Sequence, residues 1–258
     1  MRRNSGTSGL RALFVVPHQD DEMLTLGAAI KADVADGFTV DVILVTDGKE
    51  DPARTGLTAE SLGRIPDQQE FSAARDREFE AGVRQLGGNP ILPPLPERQP
   101  DGGSTVSGVM ELVVRFAMPD ATTHLRATST HDYHSDHRNC GAAVSLLVAR
   151  GQGTDPRLFI SRYKSHLWPR GMTKMGNHGG VTFEDQWPYR LKAPDDGWWG
   201  IGYDSAPDWF DYLTTIDGAS YWHRPKWRSR IRQFVGPWAR KSGLTTVIWR
   251  LQRRGRLG

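Results

Sequence analysis

The feature that most narrows the folds open to this chain is a regular alternation between runs suited to strands and apolar residues at helical spacing. "LRALFVVP" (10–17) reads as a buried strand, Met23, Leu26, Ile30 and Val34 recur at helical intervals until Gly37, and "FTVDVILVT" (38–46) reads as the next strand. A polar stretch from Asp47 to Pro66 follows. At about 20 residues it is longer than connections in compact domains usually are, which points to a functional loop. Phe71, Phe79, Val83 and Leu86 mark a helix closed by Gly87 and Gly88, "NPILPPLP" is a short third strand, and 106–117 is another helix. "ATTHLRATS" is a fourth strand, 136–150 a helix with Cys140, Val144 and Leu147 on one face, and "RLFISRY" from Arg157 a fifth strand. Such alternation predicts an α/β fold, a mostly parallel sheet with helices on both faces.

From Lys164 to Ser220 periodicity fades and Trp, Gly and Pro crowd together. The reading is therefore a core over 1–163, an irregular segment over 164–220 that packs on the core and borders its cleft, and a basic tail over 221–258. The formal net charge of +3 conceals the contrast between them. The tail holds eleven Lys and Arg and no Asp or Glu, so the rest of the chain is acidic, about −8. Ile231, Phe234, Val235 and Trp238 stand at helical spacing in that tail, ringed by Arg228, Arg230, Arg232 and Arg240. Gly236 and Pro237 interrupt the pattern, which favours packing against the acidic body over a helix lying on an anionic membrane.

The single cysteine excludes an internal disulfide framework, and "MRRNSGTSGL" does not resemble a secretory leader. No stretch approaches the roughly 18 apolar residues that span a bilayer. A cytoplasmic address is the expectation, with no nucleic-acid partner. Oligomeric state is left open.

Chemistry concentrates in two places. "VVPHQDDEMLTLGAAI" (15–30) puts a His, two Asp and a Glu where the first strand hands over to its helix, and "STHDYHSDHRNCG" (129–141) puts three His and two Asp after the fourth strand. If those strands are parallel, both clusters lie at the carboxyl edge of one sheet, where open α/β folds place their sites. His18 and Asp21 from one turn and His137 from the other would then make a two-imidazole, one-carboxylate set with positions left for water and substrate. Zinc held in such a set lowers the pKa of its water to about 7. Asp20 is left over as a general base, His134 faces the same cleft as an acid or electrostatic helper, and Asp136 orients a neighbouring imidazole through its second ring nitrogen. A lone His at a strand end is usually a satisfied polar group, and Asp after a strand is often only a helix cap. The coincidence of two clusters at matching edges outweighs that reading. His131, His166, His178 and His223 are read as ordinary surface or packing residues.

These residues also carry a resemblance. "PHQDDE" closely resembles the P-H-P-D-D-E signature of the PIG-L/LmbE-type N-acetylglucosamine deacetylases, and "HSDH" resembles their H-x-D-H signature. Weaker echoes follow in order: "VTDG" (45–48), "RDRE" (75–78) and "PDGG" (100–103). The resemblance covers residues 11–162 and implies a Rossmann-like fold with one zinc per chain, held by His18, Asp21 and His137, Asp20 as base and His134 as acid or helper. It implies removal of acetyl from the amine of an N-acetylglucosaminyl-type conjugate, with Arg75 and Asp101 contacting substrate. Gln19 stands where the family has proline, so an unusual substrate contact is expected there. "DGWWGIGYDSAPDWFDY" could wall a bulky aromatic conjugate, which inclines the expectation toward an antibiotic or other secondary metabolite.

Two other classes compete. A non-haem iron oxygenase could use His18, Asp20 and His137, but it calls for a small all-β barrel. A binding module acting through the basic tail, on nucleic acid or membrane, leaves both acidic clusters unexplained. A plain dinucleotide-binding domain lacks its G-x-G-x-x-G after the first strand.

Overall fold

Alternation within the first strand decides the architecture. In β1 (Arg11–Val16), Ala12, Phe14 and Val16 enter one buried apolar cluster while Leu13 and Val15 enter another. A strand buried on both faces needs layers above and below it. The computed structural model describes residues 9–175 and 180–225 and supplies both layers. After β1 come α1 (Asp21–Leu24), α2 (Gly27–Ala35), β2 (Thr39–Leu44), α3 (Leu57–Leu62), α4 (Gln68–Gln85), β3 (Asn89–Ile91), α5 (Val106–Phe116), β4 (His124–Thr128), α6 (Ser135–Ala149) and β5 (Thr154–Phe159). Then β6 (Thr173–Met175), α7 (Trp187–Arg190), α8 (Ile201–Ser205), α9 (Pro207–Thr215) and β7 (Ser220–His223) complete the described elements.

The sheet runs β3-β2-β1-β4-β5-β7-β6. Its first five strands are parallel, and β7 is antiparallel to both β5 and β6. Met23, Leu26 and Ile30 with Phe79, Val83 and Leu86 cover one face; Val109 and Val113 with Cys140, Val144 and Leu147 cover the other. Each such side chain, fully buried, contributes about 1.5–3 kcal/mol. This is the α/β fold expected from the alternation, and the all-β barrel required by an oxygenase is absent from it.

Two departures from the sequence reading matter for the site. The polar stretch 47–66 is not bare loop: it contains a 3-10 turn at Pro52–Arg54, capped by Asp51, and the short helix α3. The fifth strand runs from Thr154 to Phe159 rather than on to Tyr163, because Ser161 caps a 3-10 turn over Arg162–Leu167, its hydroxyl accepting from the Tyr163 amide at 3.2 Å.

The Trp/Gly/Pro-rich segment holds only short elements, yet buried polar links bind it to the core. Tyr189 donates to Glu22, and the amides of Ile201 and Gly202 donate to Glu78, each at 2.9 Å. Burial pushes Glu78 up to about 8 despite those two donors. Of the basic tail, Tyr221, Trp222 and His223 belong to β7; the helical reading of 231–238 lies outside the described residues. Among the described residues no helix is long and apolar enough to cross a membrane.

Candidate active site and metal centre

Strands β1 and β4 are parallel neighbours, with Val15 paired to Ala127, so the turns that follow them open at the same edge. The chain proceeds from β1 toward β2 and β3 on one side and from β4 to β5 on the other. The crevice between β1 and β4 is therefore the topological switch point, where open α/β sheets bind ligands. Close packing brings α6 onto that edge: a Cβ on Gly141 would lie 2.5 Å from the Thr128 carbonyl oxygen, so only glycine lets the helix sit there.

The two clusters meet. Oδ2 of Asp21 is 3.1 Å from Nδ1 of His18 and 3.1 Å from Nε2 of His137. Behind them, each ring's other nitrogen faces carboxylates. Nε2 of His18 is 3.2 Å from both Asp136 and Asp101, and Nδ1 of His137 is 3.1 Å from Asp132. Burial disfavours charge on His18, but Asp101, Asp136 and Asp21 outweigh it and raise its pKa well above the usual value. His137 is raised in the same way, with Asp21 and Asp132 outweighing burial. In their neutral form the two imidazoles, with the carboxylate oxygen of Asp21 between them, make a set of nitrogen and oxygen donors that could hold a metal ion. Their outer nitrogens are already oriented, as metal-binding histidines require.

His18, Asp101 and Asp136 also bring ligand atoms within 4.8 Å of one another. Asp136 is spoken for, however. Its oxygens accept from the Gly102 amide at 2.8 Å, the Ser104 amide at 3.1 Å and the Ser104 hydroxyl at 2.7 Å. It orients His18 and ties the loop after β3 to α6.

His134 caps α6, its Nδ1 accepting from the Asp136 amide at 3.3 Å. That leaves Nε2 to carry the ring proton. Its ring packs edge-on against His18 at 4.7 Å between centroids, and its ligand nitrogen also falls within 4.8 Å of those of His18 and His137. Burial lowers its pKa, reinforced by the charges of His18 and His137. Asp20 lies beside the cluster, 3.4 Å from the Arg75 guanidinium, and burial pushes it up to about 6. Arg75, on α4, is buried and donates to the Gly48 and Gln19 carbonyls while pairing with Asp51 at 3.0 Å.

His18, Asp20, Asp21, Arg75, Asp101, His134 and His137 line one cavity of about 530 Å³, together with residues of the 47–66 stretch and of α9. Gln19 is not brought there. It is 1% exposed, its amide donates to Asp76 at 3.0 Å, and it fills the space beside Gly48, so the substrate contact expected from the missing proline has no geometric basis. Trp209 reaches the cavity, whereas Trp199 packs with Phe71 and Ile201, and Trp198 packs at a tilt against Trp187.

Sequence reasoning passed over Asp132 and Lys164. Asp132 stands inside the quoted "HDYHSDH", but nothing there signals that it reaches His137. Lys164 is 3% exposed and donates to both Asp132 oxygens, at 3.1 and 2.9 Å. Burial opposes charge on Asp132, yet His137 and Lys164 hold its carboxyl far below the usual range. Replacing Asp132 by Asn should weaken metal affinity by about 10–100-fold, the usual effect of losing an orienting carboxylate. Competition with a chromophoric chelator measures it, and unchanged affinity would remove Asp132 from this role.

The family model described as PIG-L, GlcNAc-PI de-N-acetylase, matches residues 13–148, more than half of the chain. Solved structures similar to this one include a deacetylase triple mutant from the teicoplanin biosynthetic pathway, 19% identical over 82% of this chain and 96% of that one, with a TM-score of 0.52. N,N'-diacetylchitobiose deacetylase from Pyrococcus horikoshii is 16% identical over 86% and 85% of the two chains, TM-score 0.52. The zinc inhibited form of teicoplanin deacetylase is 18% identical over 82% and 97%, TM-score 0.51. At these identities the likeness establishes a common fold. No curated protein matches the chain. With both signature turns inside the matched residues, the chain belongs to the PIG-L (GlcNAc-PI de-N-acetylase) family.

Proposed function

We propose that this protein is a zinc-dependent amide hydrolase that removes acetyl from the amine of an N-acetylglucosaminyl-type conjugate, an antibiotic or other secondary metabolite being the favoured class. The observation that carries the reading is the single Asp21 oxygen 3.1 Å from ring nitrogens of both His18 and His137, with carboxylates behind each ring. His18, Asp21 and His137 would hold one zinc. Bound there, it would supply a Lewis acid for the amide carbonyl and water acidified to about pKa 7.

The remaining work falls to the chain. Asp20, with a pKa near 6, takes the proton of the attacking water, and Arg75 fixes its carboxylate in place. His134 presents Nε2–H to the developing oxyanion, because its Nδ1 is engaged at the helix cap, and the proton that Asp20 has taken from water passes to the amine as the C–N bond breaks. Asp136 and Asp132 keep the two ligand rings from rotating. Asp101, on the cavity wall and 3.2 Å from His18, is placed to accept from a sugar hydroxyl.

Incubation of the purified protein with a panel of N-acetylglucosaminyl conjugates, followed by mass spectrometry, tests the reading. A product lighter by one acetyl group should form with zinc under nitrogen, cease after chelation and return when zinc is restored. Turnover that survives complete metal removal, or that needs oxygen, would overturn it.

A further inference from the structure

Resting on that reading, we infer that the cavity selects conjugates whose aglycone is uncharged or cationic and presents a flat apolar face, and that it rejects those bearing phosphate or carboxylate. The cavity wall carries six carboxylates, Asp20, Asp21, Glu50, Asp51, Asp101 and Asp208, against two cations, Arg75 and Lys164. Both cations are engaged inside the protein. Lys164 gives its ammonium to the two oxygens of Asp132, and Arg75 spends its terminal nitrogens on Asp20, Asp51 and two backbone carbonyls. A divalent ion at His18, Asp21 and His137 still leaves the wall with an excess of two negative charges. Asp132 and Asp136 stand just behind it. Among the described residues lining the cavity there is no cation left to receive an anion.

The apolar part of the preference comes from a different set of side chains. Tyr163, 42% exposed, packs at a tilt against Trp209 with 4.9 Å between centroids and meets Tyr212 edge-on at 5.6 Å, while Tyr133 is 61% exposed. Tyr133, Tyr163 and Trp209 border the cavity; the Lys164 ammonium lies over the Tyr133 and Trp209 rings, 4.5 and 4.6 Å from their centroids, and the ring surface left uncovered is where a planar or ring-bearing aglycone can rest. Asp208 sits next to Trp209 in the first turn of α9, and Glu50 is exposed at the same cavity. A ligand anion on this surface would meet like charge at close range, a cost that raises discrimination between partners more than affinity for the right one.

Three aryl N-acetylglucosaminides test this directly, identical but for a phosphate, hydroxymethyl or trimethylammonium group on the ring. With the zinc-loaded full chain at about 20 mM salt, kcat/KM for the phosphate compound should fall roughly tenfold or more below the neutral one, and the gap should shrink at about 0.5 M salt. The ammonium compound should equal or exceed the neutral one. Glu50→Gln with Asp208→Asn should narrow the ratio of kcat/KM between the neutral and phosphate compounds, each variant rate being compared within the same protein. Equal kcat/KM for phosphate and neutral compounds, or a gap that the double variant does not alter, overturns the inference and leaves the deacetylase reading standing. Loss of acetyl from none of the three, at any charge, overturns both.

Discussion

His137→Ala should leave the chain without tightly held zinc and bring deacetylation below detection. His137 is 4% exposed and places Nε2 against the Asp21 oxygen that also meets His18, so its loss removes one of the three proposed donor atoms. Losing an orienting carboxylate costs metal affinity about 10–100-fold, and losing the ligand itself should cost more than that. His134 is committed through Nδ1 to the cap of α6, with its ring edge-on to His18, so Nε2 is the one nitrogen it could offer in exchange. The measurement is zinc per chain after exhaustive desalting, alongside turnover, with circular dichroism to verify that α6 and the sheet persist. A folded variant that keeps one zinc and wild-type activity removes His137 from the ligand set.

Much of this arrangement can be read from the sequence, for a physical reason. Residues 11–16 form a strand with apolar neighbours on both faces, 124–128 one with Leu125 and Ala127 in the core on one face and Arg126 paired to Asp33 on the other, and parallel strands deliver the turns that follow them to one edge. His18 and His137 therefore meet although they stand 119 positions apart in the chain. The parts that escaped are those fixed by tertiary contact alone. Strands β6 and β7, of three and four residues, are too short to show a period and exist through pairing with β5 and each other. Asp132 reaches His137 only because the loop after β4 folds back, and Lys164 reaches Asp132 from a 3-10 turn that replaced the end of an expected strand. Gln19 misled because adjacency to a ligand says nothing about direction. Its neighbours His18 and Asp20 face the cleft, while its own amide is drawn inward by Asp76, itself clamped by Arg98 at 2.7 and 2.8 Å.

Asp20→Asn should keep the zinc and lose the chemistry. Asp20 occupies the N-cap position of α1 yet its side chain makes no capping bond, so the carboxylate is free of the structural duty that Asp at such a position usually performs. It faces the cavity instead, held by Arg75 at 3.4 Å. Burial, reinforced by Asp21 and Asp51 and countered by Arg75, lifts it to about 6, close to the value that suits a base working near neutral pH. Asparagine preserves the volume and an acceptor oxygen for Arg75, which also keeps Asp51, and it touches none of the three ligand atoms. What it removes is the capacity to take a proton, so kcat should drop by roughly 10²–10⁴ with zinc content and melting temperature near wild type. A fall in kcat accompanied by loss of zinc would make Asp20 a ligand or a support for one. A kcat within about threefold of wild type would transfer the base to another group on the cavity wall, and Asp101 is the carboxylate next in line.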